Sequence, residues 1–317
     1  PTVAQRQKDD VPLLAAGAKH TPKEVAAAID KHLDRTLSGA KLKPAAWADD
    51  AEFLRRAYLD LAGRVPTAEQ AVAFLDSKDP NKRAKLIDTL LATPQFGEQF
   101  GRTWRDWICP PELPSDANGG RQPNAEAQNL GKWLGTRFAA GDTWDTITRD
   151  VLTVEGETRS KPQAIFFGLA GEGGKVTPGG SARAVASLFM GVQLQCAECH
   201  DDPYRAWAQN EHWALAAFFT KTTGDFNKIA ESRTTGGQPE ITIPKSAFKN
   251  AGSNVPAAFL GEKLFQSKAD ALRPALQDLL GAAAMLPAGD LPTAIGGYLV
   301  EGRLGRGAAG EVFSVVD

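Results

Sequence analysis

The chain has 317 residues, long enough for two domains or one elaborated domain. Hydrophobic residues make up 42%, ample for a packed core, and the net charge of −2 excludes the basic footprint of a nucleic-acid binder or a basic membrane patch. No stretch approaches the length of a transmembrane helix. The chain opens on Pro1 with no basic-then-apolar leader, so it reads as a mature or excised fragment with its signal peptide not present.

Residues 1–20 read as a tail, and residues 21–220 as a mainly α, irregular multi-helix domain with long loops. Thr21-Pro22-Lys23-Glu24 has the form of a capping box with proline at the first helical position. Val25, Ile29, Leu33 and Leu37 then recur on one helical face. A second helix carries Phe53, Leu54, Ala57, Tyr58 and Leu61. Val65-Pro66 ends it, and Thr67-Ala68-Glu69-Gln70 opens the next with another capping box. Leu86, Ile87, Leu90 and Leu91 mark a further helix. After Thr93-Pro94 comes an aromatic stripe of Phe96, Phe100, Trp104 and Trp107, which at helical spacing is core more often than a cofactor wall.

Residues 110–124, rich in Pro, Gly, Asn and Asp, predict a loop. Helical patterns resume at Leu130 to Phe138 and Trp144 to Leu152. Gly171-Glu172-Gly173-Gly174-Lys175 fails as a phosphate-binding loop, because Val176 stands where a Ser or Thr must hold magnesium; it reads as a turn. An apolar helix from Ser181 to Leu194 is expected to run directly into Cys196, and a second, Trp207 to Phe219, to close over it. Residues 221–280 form a loop-rich extension with a small β segment near residues 239–244 and a helical pattern at Ala271 to Leu280. Residues 281–317 are a linker and a glycine-rich tail expected to form a β-hairpin.

The chemistry concentrates in Cys196-Ala197-Glu198-Cys199-His200. Two thiols three positions apart with histidine next is the arrangement for covalent attachment of c-type haem: the thiols add to two vinyl groups and the imidazole holds iron. Two other readings stay open. Zinc could use Cys196, Cys199 and His200 or His212, although structural zinc wants four ligands and no second Cys-x-x-Cys exists. A redox dithiol normally opens a helix after a strand, a pattern absent before Cys196. Cys109 lies in an apolar run and reads as a buried small residue.

The blocks around the motif carry more. Phe53-Leu54-Arg55-Arg56-Ala57-Tyr58-Leu59-Asp60-Leu61-Ala62-Gly63 with Pro66-Thr67 forms the first, and Leu90-Leu91-Ala92-Thr93-Pro94-Gln95-Phe96-Gly97-Glu98 the second. With Gly191-Val192-Gln193-Leu194-Gln195-Cys196, Trp207 and Leu215-Ala216-Ala217-Phe218-Phe219, these resemble the planctomycete cytochrome c-type domain family of unknown function, over roughly residues 24–280. The resemblance implies an exported, haem-binding domain, with Cys196 and Cys199 as thioether attachments, His200 as axial ligand and an unidentified redox partner. It implies an extracytoplasmic or periplasmic location if haem is attached. Family members often carry Asp-His-Pro after the motif, whereas this chain has Asp201-Asp202-Pro203. His212 is then the nearest candidate for the distal side, with His20 and His32 as further ones and a five-coordinate or solvent-ligated iron as the default. Met190, expected on the same helix as the motif, reads as proximal-side core. Asp201 and Asp202 themselves read as a solvated turn or helix cap rather than an acid/base pair.

The tail from Tyr298 to Phe313 resembles the opening of a serine/threonine protein kinase. Gly305, Gly307, Gly310 and Val312 fit the G-x-G-x-x-G-x-V loop that covers ATP phosphates. The chain stops at Asp317, before any catalytic lysine, so kinase activity is not expected of it and ATP enters only if a complete kinase follows. The alternative to a haem domain is therefore a non-enzymatic binding or scaffold domain, its thiols holding zinc or nothing, fused to a truncated kinase.

Overall fold

The computed structural model describes residues 22–109, 123–205, 207–232, 239–247, 249–260, 272–274, 276, 294–295, 298–307 and 310–316. The tail 1–20, the loop at 110–122 and the linker 281–293 lie outside the described residues. The fold is mainly α with antiparallel sheets of two or three strands and, among the described residues, no barrel, as the periodicities predict. It divides into two units. One lies within residues 11–104, 131–147 and 286–317, the other within 105–130 and 148–285.

The first unit begins with α1 (Pro22–Gly39) and α2 (Asp50–Ala62). Helix α2 starts where Asp49 accepts the Glu52 amide at 2.8 Å, and it buries Leu54, Ala57, Tyr58 and Leu61. Gly63 ends it in the left-handed region at φ 65°, its N–H returning to Leu59 O. Thr67 and Gln70 complete the expected capping box of α3 (Ala68–Asp76), followed by α4 (Lys82–Leu91).

Helices α5 (Pro94–Ile108), α6 (Pro123–Ala139) and α7 (Trp144–Leu152) come next. Within this unit the aromatic stripe packs on other rings, with Phe96 buried and Phe100 and Trp104 half buried: Phe96 meets Phe100 at 4.4 Å between centroids, Phe100 meets Phe138 at 5.6 Å and Trp104 meets Trp144 at 4.0 Å. Trp107, the last of the predicted stripe, is half exposed. Helices α5 and α6 approach backbone to backbone. A methyl group on Gly97 would stand 2.5 Å from Gly135 O, and one on Gly101 only 2.4 Å from Gly131 O. The unit also holds a sheet of order β6-β7-β8, with β6 (Ala294–Ile295), β7 (Tyr298–Gly307) and β8 (Gly310–Val316).

The second unit carries the cysteine motif. Its elements are β1 (Gly156–Glu157), a 3-10 turn at Pro162–Ala164, α8 (Ile165–Ala170) and α9 (Pro178–Met190). A 3-10 turn at Cys196–Glu198 precedes α10 (Gln209–Ala216), and a further one at Ala217–Phe219 continues it. Strands β2 (Thr222–Gly224) and β3 (Lys228–Glu231) form a hairpin, and β1 adds to the other edge of β3, pairing Gly156 with Ile229. Strands β4 (Glu240–Thr242) and β5 (Asn254–Pro256) pair where the short β segment was expected.

Phe166, Phe167, Val185, Leu215, Phe218 and Phe219 fill this core, and each such side chain contributes about 1.5–3 kcal/mol when fully buried. Residues 272–274 and 276 are helical, with Leu272 and Leu276 buried; the rest of the pattern predicted over Ala271 to Leu280 lies outside the described residues. The turn at Gly173-Gly174, both at positive φ, forms where the failed phosphate loop was read as a turn.

Candidate functional site

Helix α9 does not run into the motif. Thr177 accepts the Gly180 amide at its start and Pro178 takes the first position. The helix stops at Met190, because Gly191 adopts φ 65° and its N–H returns to Ala186 O. The sequence expectation carried the helix on to Leu194 because Val192 keeps the apolar phase. A glycine in the left-handed region ends the helix first, so Met190 and the motif do not share one helix.

The two thiols therefore sit on a separate short turn. The Cys199 and His200 amides both point back to Cys196 O, at 3.4 and 3.3 Å. Ala197 is the inward anchor of this turn, fully buried, while Cys196 and His200 are exposed and Cys199 is half buried. All three cysteines of the chain are free thiols. Burial pushes the Cys109 thiol up to about 12, which keeps it protonated and inert.

Two helices fasten the turn from behind. From α9, Arg183 forms an ion pair with the Glu198 carboxylate. From α10, Trp213 Nε1 donates to Glu198 O at 3.0 Å, and Gln209 Nε2 donates to Cys199 O at 2.9 Å. Glycine at 179 lets the elements come close here, since a methyl group would lie 2.9 Å from Glu198 Oε1 and 3.3 Å from Trp213 Cη2.

The aspartates after the motif act as local structure, as their sequence suggested. Asp202 Oδ1 accepts the Tyr204 and Arg205 amides at 2.8 and 3.0 Å, closing a turn. Asp201 Oδ1 accepts the amide of Gln209, the first residue of α10, at 2.9 Å. The residue before α10 is Ala208, which has no side-chain acceptor, so the motif loop supplies the missing cap. Lys249 pairs with the same carboxylate, and these contacts hold the Asp201 carboxyl below its usual range, the Lys249 bond first and the Gln209 amide second.

His200 carries the feature that bears on ligation. Its Nδ1 lies 2.7 Å from the Asp201 carbonyl. A carbonyl only accepts, so Nδ1 holds a proton, and in the neutral ring that leaves Nε2 as the nitrogen with the free lone pair. That is the donor state of an imidazole ligand supported by a backbone carbonyl.

His212 is placed differently. It is 0% exposed, and neither ring nitrogen has a hydrogen-bond partner. Burial, with the Arg183 charge adding to it, lowers its pKa to about 4. Its Nε2 would be 3.5 Å from a methyl group on Gly179, which puts it beside α9. Among the described residues, no group of three or more His, Cys, Asp and Glu stands ready to hold a metal ion. Haem asks for two thiols and one imidazole nitrogen, and the turn supplies exposed Cys196, half-buried Cys199 and exposed His200. His20 lies outside the described residues.

In the tail, Gly305 stands opposite Val312 and Gly307 opposite Gly310, in an antiparallel hairpin with irregularities at Val300/Gly302 and Arg303/Gly305. Sequence reasoning missed Gln209, Arg183 and Trp213 as partners of the motif. A glutamine at the start of an apolar helix is the one visible signal, and it is a weak one.

A mainly helical domain presenting a Cys-x-x-Cys-His turn on its surface defines the class. The chain matches PSCyt2, described as a protein of unknown function (DUF1549), over residues 28–224, and it belongs to that family. No curated protein and no solved structure matches it. No helix among the described residues is long and apolar enough to cross a membrane.

Proposed function

We propose that this chain is a c-type haem domain serving electron transfer or redox sensing. Cys196 and Cys199 would hold the group by each adding S–H across a vinyl group, sulfur bonding to one carbon and the proton going to the other with no oxidant consumed. His200 would ligate its iron, and the haem would supply one-electron chemistry. The observation that carries this reading is the exposed His200 ring, held through Nδ1 by the Asp201 carbonyl, on the same turn as both thiols. Attachment of haem c places the domain outside the cytoplasm, with a redox partner approaching the exposed edge at Cys196 and His200.

Expression with a cytochrome maturation system tests the proposal. Haem staining that survives denaturation, a mass increased by one haem and loss of both in Cys196→Ser/Cys199→Ser support it. An unmodified mass without a Soret band overturns it.

The antiparallel hairpin favours a second reading for the tail alone. Gly305, Gly307, Gly310 and Val312 lie on paired strands, the geometry of a kinase glycine-rich loop, rather than before a helix as in a dinucleotide site. In this reading the tail opens a nucleotide-binding domain that the 317 residues do not contain. A parent gene lacking a strand-three lysine and catalytic loop downstream would overturn it.

A further inference from the structure

Gln209 is 0% exposed, an unusual position for a glutamine, and its polar atoms are turned to one task. Its Nε2 donates to the carbonyl of Cys199, the residue before His200, at 2.9 Å. Its backbone N–H donates to the carboxylate of Asp201, the residue after His200, at 2.9 Å. One residue thus holds the chain on both sides of the imidazole. Its remaining acceptor, Oε1, takes a hydrogen bond from Asn250 Nδ2 at 3.2 Å. Asn250 sits at φ 52°, a left-handed conformation that asparagine tolerates, in the turn between β4 and β5, and its neighbour Lys249 pairs with Asp201. Both residues lie beyond the matched family segment.

The His200 ring is exposed, so packing does not orient it. What sets its tautomer is the Asp201 carbonyl. The backbone N–H at 209 anchors the Asp201 side chain. The Gln209 side chain fixes the Cys199 carbonyl on the other side of the ring, the contact the variants below remove. We infer that Gln209 is a positioning residue for His200, braced by Asn250, and that it keeps the proton on Nδ1 and the lone pair on Nε2 before any cofactor arrives. This rests on the haem reading above, which gives the bare Nε2 its use.

The test uses the full chain without haem, labelled with nitrogen-15. A long-range proton–nitrogen spectrum is recorded at pH about 8, where imidazole is neutral, and His200 is assigned by its loss in His200→Asn. In the wild type one nitrogen, Nδ1, should be protonated and Nε2 should resonate as a bare nitrogen. In Gln209→Leu, and in Gln209→Glu, which keeps the shape but loses the donor, the two resonances should move toward each other as both tautomers populate. Asn250→Ala should move them part of the way, and it serves as the readout if Gln209→Leu fails to fold.

A wild type already mixed between tautomers overturns the inference. So does a folded Gln209→Leu whose His200 signals stay in place, or an unchanged Asn250→Ala if that variant alone folds. Haem staining of the matured wild type is read separately, so a chain that never takes haem and a Gln209 that never positions His200 give different results.

Discussion

Arg273 Nε donates to Glu231 Oε2 at 3.0 Å, and the two side chains are 0% and 4% exposed. Glu231 ends strand β3; its Oε1 also accepts the Leu272 amide at 3.0 Å. Arg273 Nη1 donates to Val154 O at 2.7 Å, and the guanidinium lies 5.0 Å from the Phe167 ring centre. The segment around residue 273 is therefore tied into the motif-bearing unit, although the family match ends at residue 224.

Removing one partner leaves a buried charge without its counterion. Arg273→Ala is expected to cost about 3–5 kcal/mol, and Glu231→Gln a smaller but clear amount. The double variant Glu231→Leu/Arg273→Met, apolar on both sides, should recover much of the loss. Urea unfolding of the three variants beside the wild type checks this, and a double variant that loses as much as the two single variants together would show that the two side chains act independently.

His212 gives stability a pH dependence of known sign. Its folded pKa of about 4 is below the ordinary imidazole value of 6.5, so the unfolded chain binds the proton more readily. Its contribution is complete above pH about 6.5 and is lost as pH falls toward about 4, by at most about 3 kcal/mol. The charged groups near it are Arg183 and, through the space beside Gly179, Glu198. Melting temperatures over that window should fall for the wild type, and fall less for His212→Leu.

The glycine contact between α5 and α6 should be intolerant of one methyl group. Gly101→Ala would place carbon 2.4 Å from Gly131 O, and backbone cannot swing aside as a side chain can. The expected loss is about 1–3 kcal/mol. Gly39→Ala, whose added carbon meets nothing within 4 Å, is the control and should change stability by under about 0.5 kcal/mol. Thermal unfolding of both variants decides it.

The three thiols should react in a fixed order. Without haem, exposed Cys196 should be alkylated first and half-buried Cys199 more slowly, while Cys109, buried and pushed up to about 12, should react only on unfolding. Peptide mass spectrometry over time reads the order. Trp213→Phe removes the hydrogen bond to Glu198 O and should bring the Cys199 rate closer to that of Cys196.

Much of the local structure was legible. Helix α2, the Thr67 capping box and the turn formed by Asp201 and Asp202 follow from spacing and from side chains acting on their own neighbours. The paired strands β1 and β3 were not, because Gly156-Glu157 is too short to show alternation and its partner lies some seventy residues on. The spacing of Gly97 with Gly101 and of Gly131 with Gly135 was visible in the chain, yet nothing in either segment says that the two face each other.

The sequence by itself determined where the candidate residues lie: Cys196, Cys199 and His200 fall within one turn, and turns are governed by contacts of a few residues. Only the tertiary structure decided their surroundings. It put His212 into the core beside Gly179, seated Gln209 behind the motif, and brought Glu231 to Arg273. Those relationships join groups far apart in the chain, where burial and hydrogen-bond partners depend on how the elements pack, and local pattern carries no record of that.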